Sequence, residues 1–187
     1  MKKKQKNEFI SKYIRYLKET YLEDNDFKIV SIVFMISYLV GYTIVLFDLT
    51  NTQAFSSQLT IPYSLEKDLF GYEVFRGYLV NYLLVLLLGT LFVLPLFSFV
   101  PFVGIANGSA LPLMLANENV SIAIAYLVLN LIFIKYFMLL SHFSAKIGKW
   151  LIYLFLKKPY KIEFKLIILP SILLVVLIIL NFIFKTL

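Results

Sequence analysis

Long apolar runs broken by short polar ones set the rhythm of this chain. Ile29–Phe47 is 19 residues without a charge, enough to cross ~30 Å of hydrocarbon at ~1.5 Å per residue. Asp48–Arg76 follows as a polar segment of 29 residues. Its Phe55, Ile61, Tyr63, Leu69, Phe70 and Tyr72 suit a loop that lies on a membrane surface or covers a helix bundle. Gly77–Val100 reads as a second span, and Pro101–Ala116 as a third, short at 16 residues. After the polar turn "NENVS" come a fourth span, Val120–Ser141, and a fifth, Leu166–Phe184. The pattern predicts an all-α polytopic membrane protein with about five transmembrane helices in one integral domain over residues 1–187.

Two further stretches have helical rather than continuous apolar spacing. In 9–22, Ile10, Tyr13, Ile14, Leu17, Tyr21 and Leu22 form one face, with Lys12, Arg15, Lys18 and Glu19 elsewhere. In "FSAKIGKWLIYLFLKKP", Phe143, Ile147, Trp150, Leu151 and Leu154 lie opposite Lys146 and Lys149, and Pro159 ends the pattern. Both are expected as amphipathic interfacial helices, with lysines drawn to anionic headgroups. A secretory signal would have a shorter apolar core and a small-residue cleavage site. The "DLTNTQAFSSQ" after the first run offers none, so that span is expected to stay uncleaved.

Charge orients the arrangement. Residues 1–28 and 142–165 carry eight and six Lys/Arg, against two in Asp48–Arg76. Five crossings put both basic segments on one side, which the positive-inside rule makes cytoplasmic. The N-terminus is then inside and the C-terminus outside. If 101–116 failed to cross, the lysines at 146–165 would fall outside and the asymmetry would vanish. This placement also accounts for the net charge of +7, so no nucleic-acid partner is expected. Sixteen lysines against two arginines point to an AT-rich bacterial genome and a bacterial cytoplasmic membrane. Composition agrees, with 60% hydrophobic and 16% charged residues.

The available chemistry is sparse. With no cysteine and one histidine, His142, the chain has no thiolate chemistry and no His- or Cys-based metal site. It lacks a Gly-rich phosphate loop, HExxH and any paired glutamates within a span. Ser141 and His142 are adjacent, which on a helix turns them about 100° apart. All eleven acidic residues lie outside the spans, apart from Asp48 at the edge of the first. That disfavours an ion-coupled pump. No catalytic residue, cofactor or metal is expected.

What polarity the spans do hold is Asn81, Asn107, Asn130 and Lys135, a candidate intramembrane polar site. Amides at that depth usually bond across to a neighbouring helix, for about 0.6–2 kcal/mol. Lys135 lies about seven residues from the inner end of span four. It either lines an internal cavity or snorkels its ammonium to the interface. In "PFVGIANGSALP", Gly104 and Gly108, overlaid by Ala106 and Ala110, give span three a smooth helix-packing face. Pro101 suits a first helical turn and Pro112 a kink near the outer end. A broken helix whose freed backbone lines a substrate path is the other reading of these prolines.

The layout resembles the stage II sporulation protein M family. The resemblance rests on an N-in first span and external loop, and on the glycine-bearing pair "NYLLVLLLGTLFVLPLFSFVPFVGIANGSALPLMLANE". The small-residue basic segment "SHFSAKIGKWL" and a final span complete it. In "LIFIKYF" the chain departs from the family pattern, with Lys135 where an acidic residue is expected. The resemblance implies a non-enzymatic membrane accessory or scaffold in circular bacteriocin-type peptide maturation, export or self-immunity. Its implied partners, besides the lipid bilayer, are other membrane proteins, such as a transporter ATPase or permease, or a second copy of the chain. A transporter or channel subunit is the alternative, and a sporulation-type scaffold for peptidoglycan hydrolases a further one.

Overall fold

The structure is a computed structural model and describes residues 11–12, 15, 18–47, 72–91, 93–115 and 120–184. Five α-helices account for most of these: α1 Asn25–Phe47, α2 Tyr72–Leu91, α3 Val93–Leu115, α4 Val120–Phe155 and α5 Ile168–Phe184. A π-helical turn, Lys18–Leu22, precedes α1, and a 3-10 turn, Phe164–Ile167, leads into α5. Among the described residues there is no β-strand. Three stretches are long and apolar enough to cross a membrane: Asn25–Phe47, Ala123–Phe155 and Phe164–Phe184. Arg76–Leu91 and Phe97–Pro112 are shorter apolar helical stretches.

Cross-helix contacts fix the direction of each helix. Phe34 meets Phe137 with ring centroids 5.4 Å apart, and Tyr38 reaches Asn130, so α1 and α4 run antiparallel. Gly104 faces Phe34 and Ser37 while Gly108 faces Tyr38, which makes α3 parallel to α1. Tyr78 packs on Phe133 and Val85 bonds to Ser144, so α2 runs with α4. Leu166 packs with Leu139 and Phe143 at the start of α5. Successive helices therefore alternate in direction.

The helix limits differ from the apolar blocks read along the sequence. The boundary expected at Val100/Pro101 is not where α3 starts: α3 already includes Val93 and runs through both residues. Pro95, not Pro101, then falls in the first turn, where a missing N–H costs nothing. Pro101 and Pro112 are inside a 23-residue helix. A helix packed among neighbours tolerates such interior prolines, because nearby groups take up the freed carbonyls. The separate interfacial helix expected after Ser141 is the end of α4, which continues for 36 residues, about 54 Å. Nothing between Ser141 and Phe155 breaks it, since Gly148 alone does not outweigh its helix-forming neighbours. Of the N-terminal pattern, Ile10, Tyr13, Ile14 and Leu17 lie outside the described residues, as do the loop at 48–71 and the turn at 116–119.

The tightest packing joins α1 to α3 through backbone. A Cβ on Gly41 would overlap the Ile105 carbonyl, and one on Gly108 would overlap the Tyr38 carbonyl. A Cβ on Gly104 would come within 2.9 Å of the Phe34 carbonyl oxygen and of Ser37 Cβ. Ala106 and Ala110 are buried on the same helix. A second small-residue contact, absent from the sequence reading, lies between α2 and α4. There Gly89 abuts Ser144, whose hydroxyl donates to the Val85 carbonyl at 2.5 Å. Around these seams Phe34, Tyr78, Phe133, Tyr136 and Phe137 form the core. Each aromatic pair contributes about 0.5–1.5 kcal/mol beyond its buried area.

Gly108→Leu should therefore push α1 off α3 and lower stability by at least ~1–3 kcal/mol, the usual cost of overpacking. Phe102→Leu, on the outer face, should be nearly neutral. Thermal unfolding in mild detergent checks both, and equal stability of the two variants would refute this account of the seam.

Candidate functional site

The densest polar chemistry among the described residues lies at the end of the bundle where α1 begins. Asp24 stands just before α1, and its Oδ1 accepts from the backbone N–H groups of Asp26 at 2.8 Å and Phe27 at 3.3 Å. This is an N-cap, which satisfies two otherwise orphaned donors. It also explains why α1 starts four residues before the first apolar run. The other oxygen, Oδ2, accepts from Lys146 Nζ at 2.5 Å. Lys149 Nζ donates to Asp26 Oδ1 at 2.5 Å, and Lys146 Nζ lies 3.3 Å from Asp26 Oδ2. His142, Lys146 and Lys149 follow i, i+4, i+7 spacing, so one face of α4 presents all three to the start of α1.

His142 sits at the base of this network with 0% of its surface exposed. Its Nε2 is 3.4 Å from Asp24 Oδ1. Tyr21 and Phe27 approach the imidazole edge-on at 5.6 and 5.5 Å. The π-helical turn delivers Tyr21, and the cap delivers Phe27, so the ring is held by both segments flanking Asp24. Above it opens a cleft of about 310 Å³, whose wall includes Glu19, Asp24, His142, Lys146, Tyr160 and Glu163. Burial pushes the Asp24 carboxyl up. The Lys146 hydrogen bond and the charges of His142 and Lys146 outweigh this, leaving it below the ordinary 3.8. Burial raises the Tyr160 phenol, against the opposing pull of Lys146 and Lys149.

The residues singled out from the sequence do not converge on one site. Asn107 is buried and donates to the Val103 carbonyl of its own helix at 2.8 Å, rather than across to a neighbour. Asn130 does bridge helices, donating to the Tyr38 hydroxyl of α1 at 3.0 Å. Asn81 is buried on α2. Lys135 is exposed on the outer face of α4, five residues and about 140° around the helix from Asn130. Gly104, Gly108, Ala106 and Ala110 turn inward, with the glycines against α1. Other ties are Tyr82 to Ser171, at 3.2 Å. Ser171 itself donates to the Ile167 carbonyl, so the tyrosine is the donor in that pair.

Ser141 is buried beside His142 in sequence, but its Oγ has no hydrogen-bond partner, so the two form no dyad. Among the described residues no three His, Cys, Asp or Glu side chains gather as metal ligands would. The arrangement can clamp α1 to α4 through charge, and can present cations and carboxylates to a ligand in the cleft. Sequence reasoning missed Asp24, Asp26 and His142. The signal was the pairing of "DND" before an apolar run with a basic i, i+4, i+7 face. Comparison with protein-family models, curated proteins and solved structures finds no match.

The sign of the pH response follows from Asp24. Its folded-state affinity for protons is lowered, so its contribution is full above the ordinary carboxylate value of 3.8. It declines as pH falls below that value, and is gone below the depressed one. Asp24→Asn should flatten this acid limb of a thermal-stability profile. At neutral pH it should cost about 1 kcal/mol, since the cap survives as Asn and the partly exposed pair is screened. An unchanged acid limb in the variant would rule out the cluster as its source.

Proposed function

We propose that the chain is a five-crossing protein of a bacterial cytoplasmic membrane, N-terminus inside, acting as a non-enzymatic accessory to other membrane proteins. The observation that carries this reading is where its polar groups go. Inside the bundle, Asn107, Asn130, Ser144 and Tyr82 bond to a helix of the bundle, and Lys135 faces outward. The ionic chemistry is instead concentrated at the basic end, in an open cleft that other molecules can reach. The alternating helix directions support five crossings, and so does the excess of lysine and arginine in 1–28 and 142–165. The resemblance to the stage II sporulation protein M family supplies the setting: maturation, export or self-immunity of a circular bacteriocin-type peptide.

Topology can be tested cleanly because the chain has no cysteine. Single replacements Ser11→Cys and Lys158→Cys should react with a membrane-impermeant maleimide only after cells are opened. Asn51→Cys and Thr186→Cys should react in intact cells. Labelling of Lys158→Cys in intact cells would overturn the five-crossing arrangement. For the accessory role, the tagged chain should co-purify in mild detergent with the products of adjacent genes, and its deletion should impair peptide export or immunity. Isolation as a lone species together with an unaffected deletion strain would count decisively against it.

A further inference from the structure

The helix α4 does not end where its neighbours do. The rung formed by Asp24, Asp26, Lys146 and Lys149 lies level with the start of α1, and Phe143 lies level with Leu166 at the start of α5. Past His142, α4 continues to Phe155, another ~20 Å. The chain then turns back along it. Lys157 N donates to Leu154 O at 3.1 Å and Lys158 N to Tyr153 O at 2.9 Å. With Lys157 at φ 53°, these bonds make a Schellman cap. Glycine usually holds that left-handed position, and a lysine there is strained. Tyr160 stacks on Tyr153 at 5.1 Å, holding the return segment against the helix. The result is an ordered arm, formed by the end of α4 and residues 156–163.

Its surface combines two properties. Phe155, Leu156 and Leu154 are 86%, 59% and 57% exposed. Beside them Lys157, Lys158, Lys161 and Lys165 are exposed, with Glu163 the single acid from 150 to 166. On the proposed five-crossing reading, the charged rung marks the edge of the hydrocarbon, which leaves this apolar tip in the cytoplasm beyond the reach of acyl chains. A second copy would bring the same lysines and be repelled. The chain's own N-terminus, with Lys2, Lys3, Lys4 and Lys6, is excluded for the same reason. Exposed apolar side chains flanked by uncompensated cations are complementary to a groove of the opposite character. We propose that the arm docks a cytoplasmic protein surface that offers an apolar groove rimmed by Asp and Glu carboxylates. The inference rests on the accessory reading and gives the chemistry of one partner.

Trp150 is the chain's one tryptophan and adjoins Lys149 of the rung, so Trp150→Phe combined with Phe155→Trp moves the single reporter to the arm's tip, ~9 Å past Lys149. In nanodiscs of phosphatidylcholine and phosphatidylglycerol with brominated acyl chains, emission of this Trp at position 155 should match that in unbrominated discs. A Phe182→Trp, Trp150→Phe control, on the outer face of α5, should be quenched. Equal quenching of the two would place the arm in lipid and overturn the proposal. In cells, a benzophenone amino acid replacing Phe155 should give a protein adduct that maps to a carboxylate-rich segment. Joint Lys157→Glu and Lys158→Glu should reduce that adduct at least about tenfold, while the thermal transition and cysteine labelling stay unchanged. Adducts to lipid, to nucleic acid or to a second copy would each overturn the docking surface. So would an adduct indifferent to charge reversal, or none. If adjacent gene products still co-purify with the charge-reversed chain, the arm is refuted and the accessory reading stands.

Discussion

The close approach of α1 and α3 is the constraint from which most of the other contacts follow. On the proposed five-crossing reading these helices meet in hydrocarbon, where burial of apolar surface gives no net drive, so association rests on packing and hydrogen bonds. Gly41, Gly104 and Gly108 let carbonyls of one helix lie where a side chain of the other would have been. That contact admits one register. In it Phe34 reaches Phe137, the Tyr38 hydroxyl reaches Asn130, and the start of α1 arrives opposite His142 and Lys146. The polar ties are therefore consequences of the seam, and each reinforces it by being satisfied only in that register.

At the other end of the same helix, Asp24 serves two structures with one carboxylate. One oxygen ends α1 and the other holds Lys146 of α4. An exposed ion pair between long side chains contributes little, because its entropy cost and screening offset the attraction. Here the carboxylate is already fixed by the cap, so less freedom is lost when the lysine binds. Lys146 and Lys149 share two carboxylates, and His142 lies beneath them in an aromatic enclosure. Helix geometry, charge and the cleft are thus joined at a single residue.

The all-helical class and the three long apolar helices were legible in the sequence because apolar runs are direct physical signals. The small-residue face at Gly104 and Gly108 was legible too, though its partner was not. Gly41 lies far away in sequence, and nothing local marks it as the complement. Helix limits were harder. Pro101 was read as a first turn and Pro112 as a kink, and a continuous apolar run does not say at which proline a helix begins. The second amphipathic stretch was read as a separate element because its periodicity differs from that of the span before it, yet the backbone runs through both. His142 was set aside because one histidine cannot by itself make a metal site and no acid is close to it in sequence; Asp24 lies 118 residues earlier. Sequence separation of that size hides a pairing that the fold brings to contact distance.

The continuity of α4 has a mechanical consequence. A single helix of 36 residues with no proline moves as a rod. It is bedded among α1, α2 and α5 over part of its length and free beyond. A tilt of about 5° around its Val120 end would carry the far tip ~5 Å, given the ~54 Å length of the rod. Small changes of packing between the helices would therefore be enlarged at Phe155, and a load applied at Phe155 would be felt as torque at the Gly89–Ser144 contact and the Asp24–Lys146 pair. The rung of ion pairs then restrains that motion, and its stiffness sets how strongly the tip is geared to the bundle.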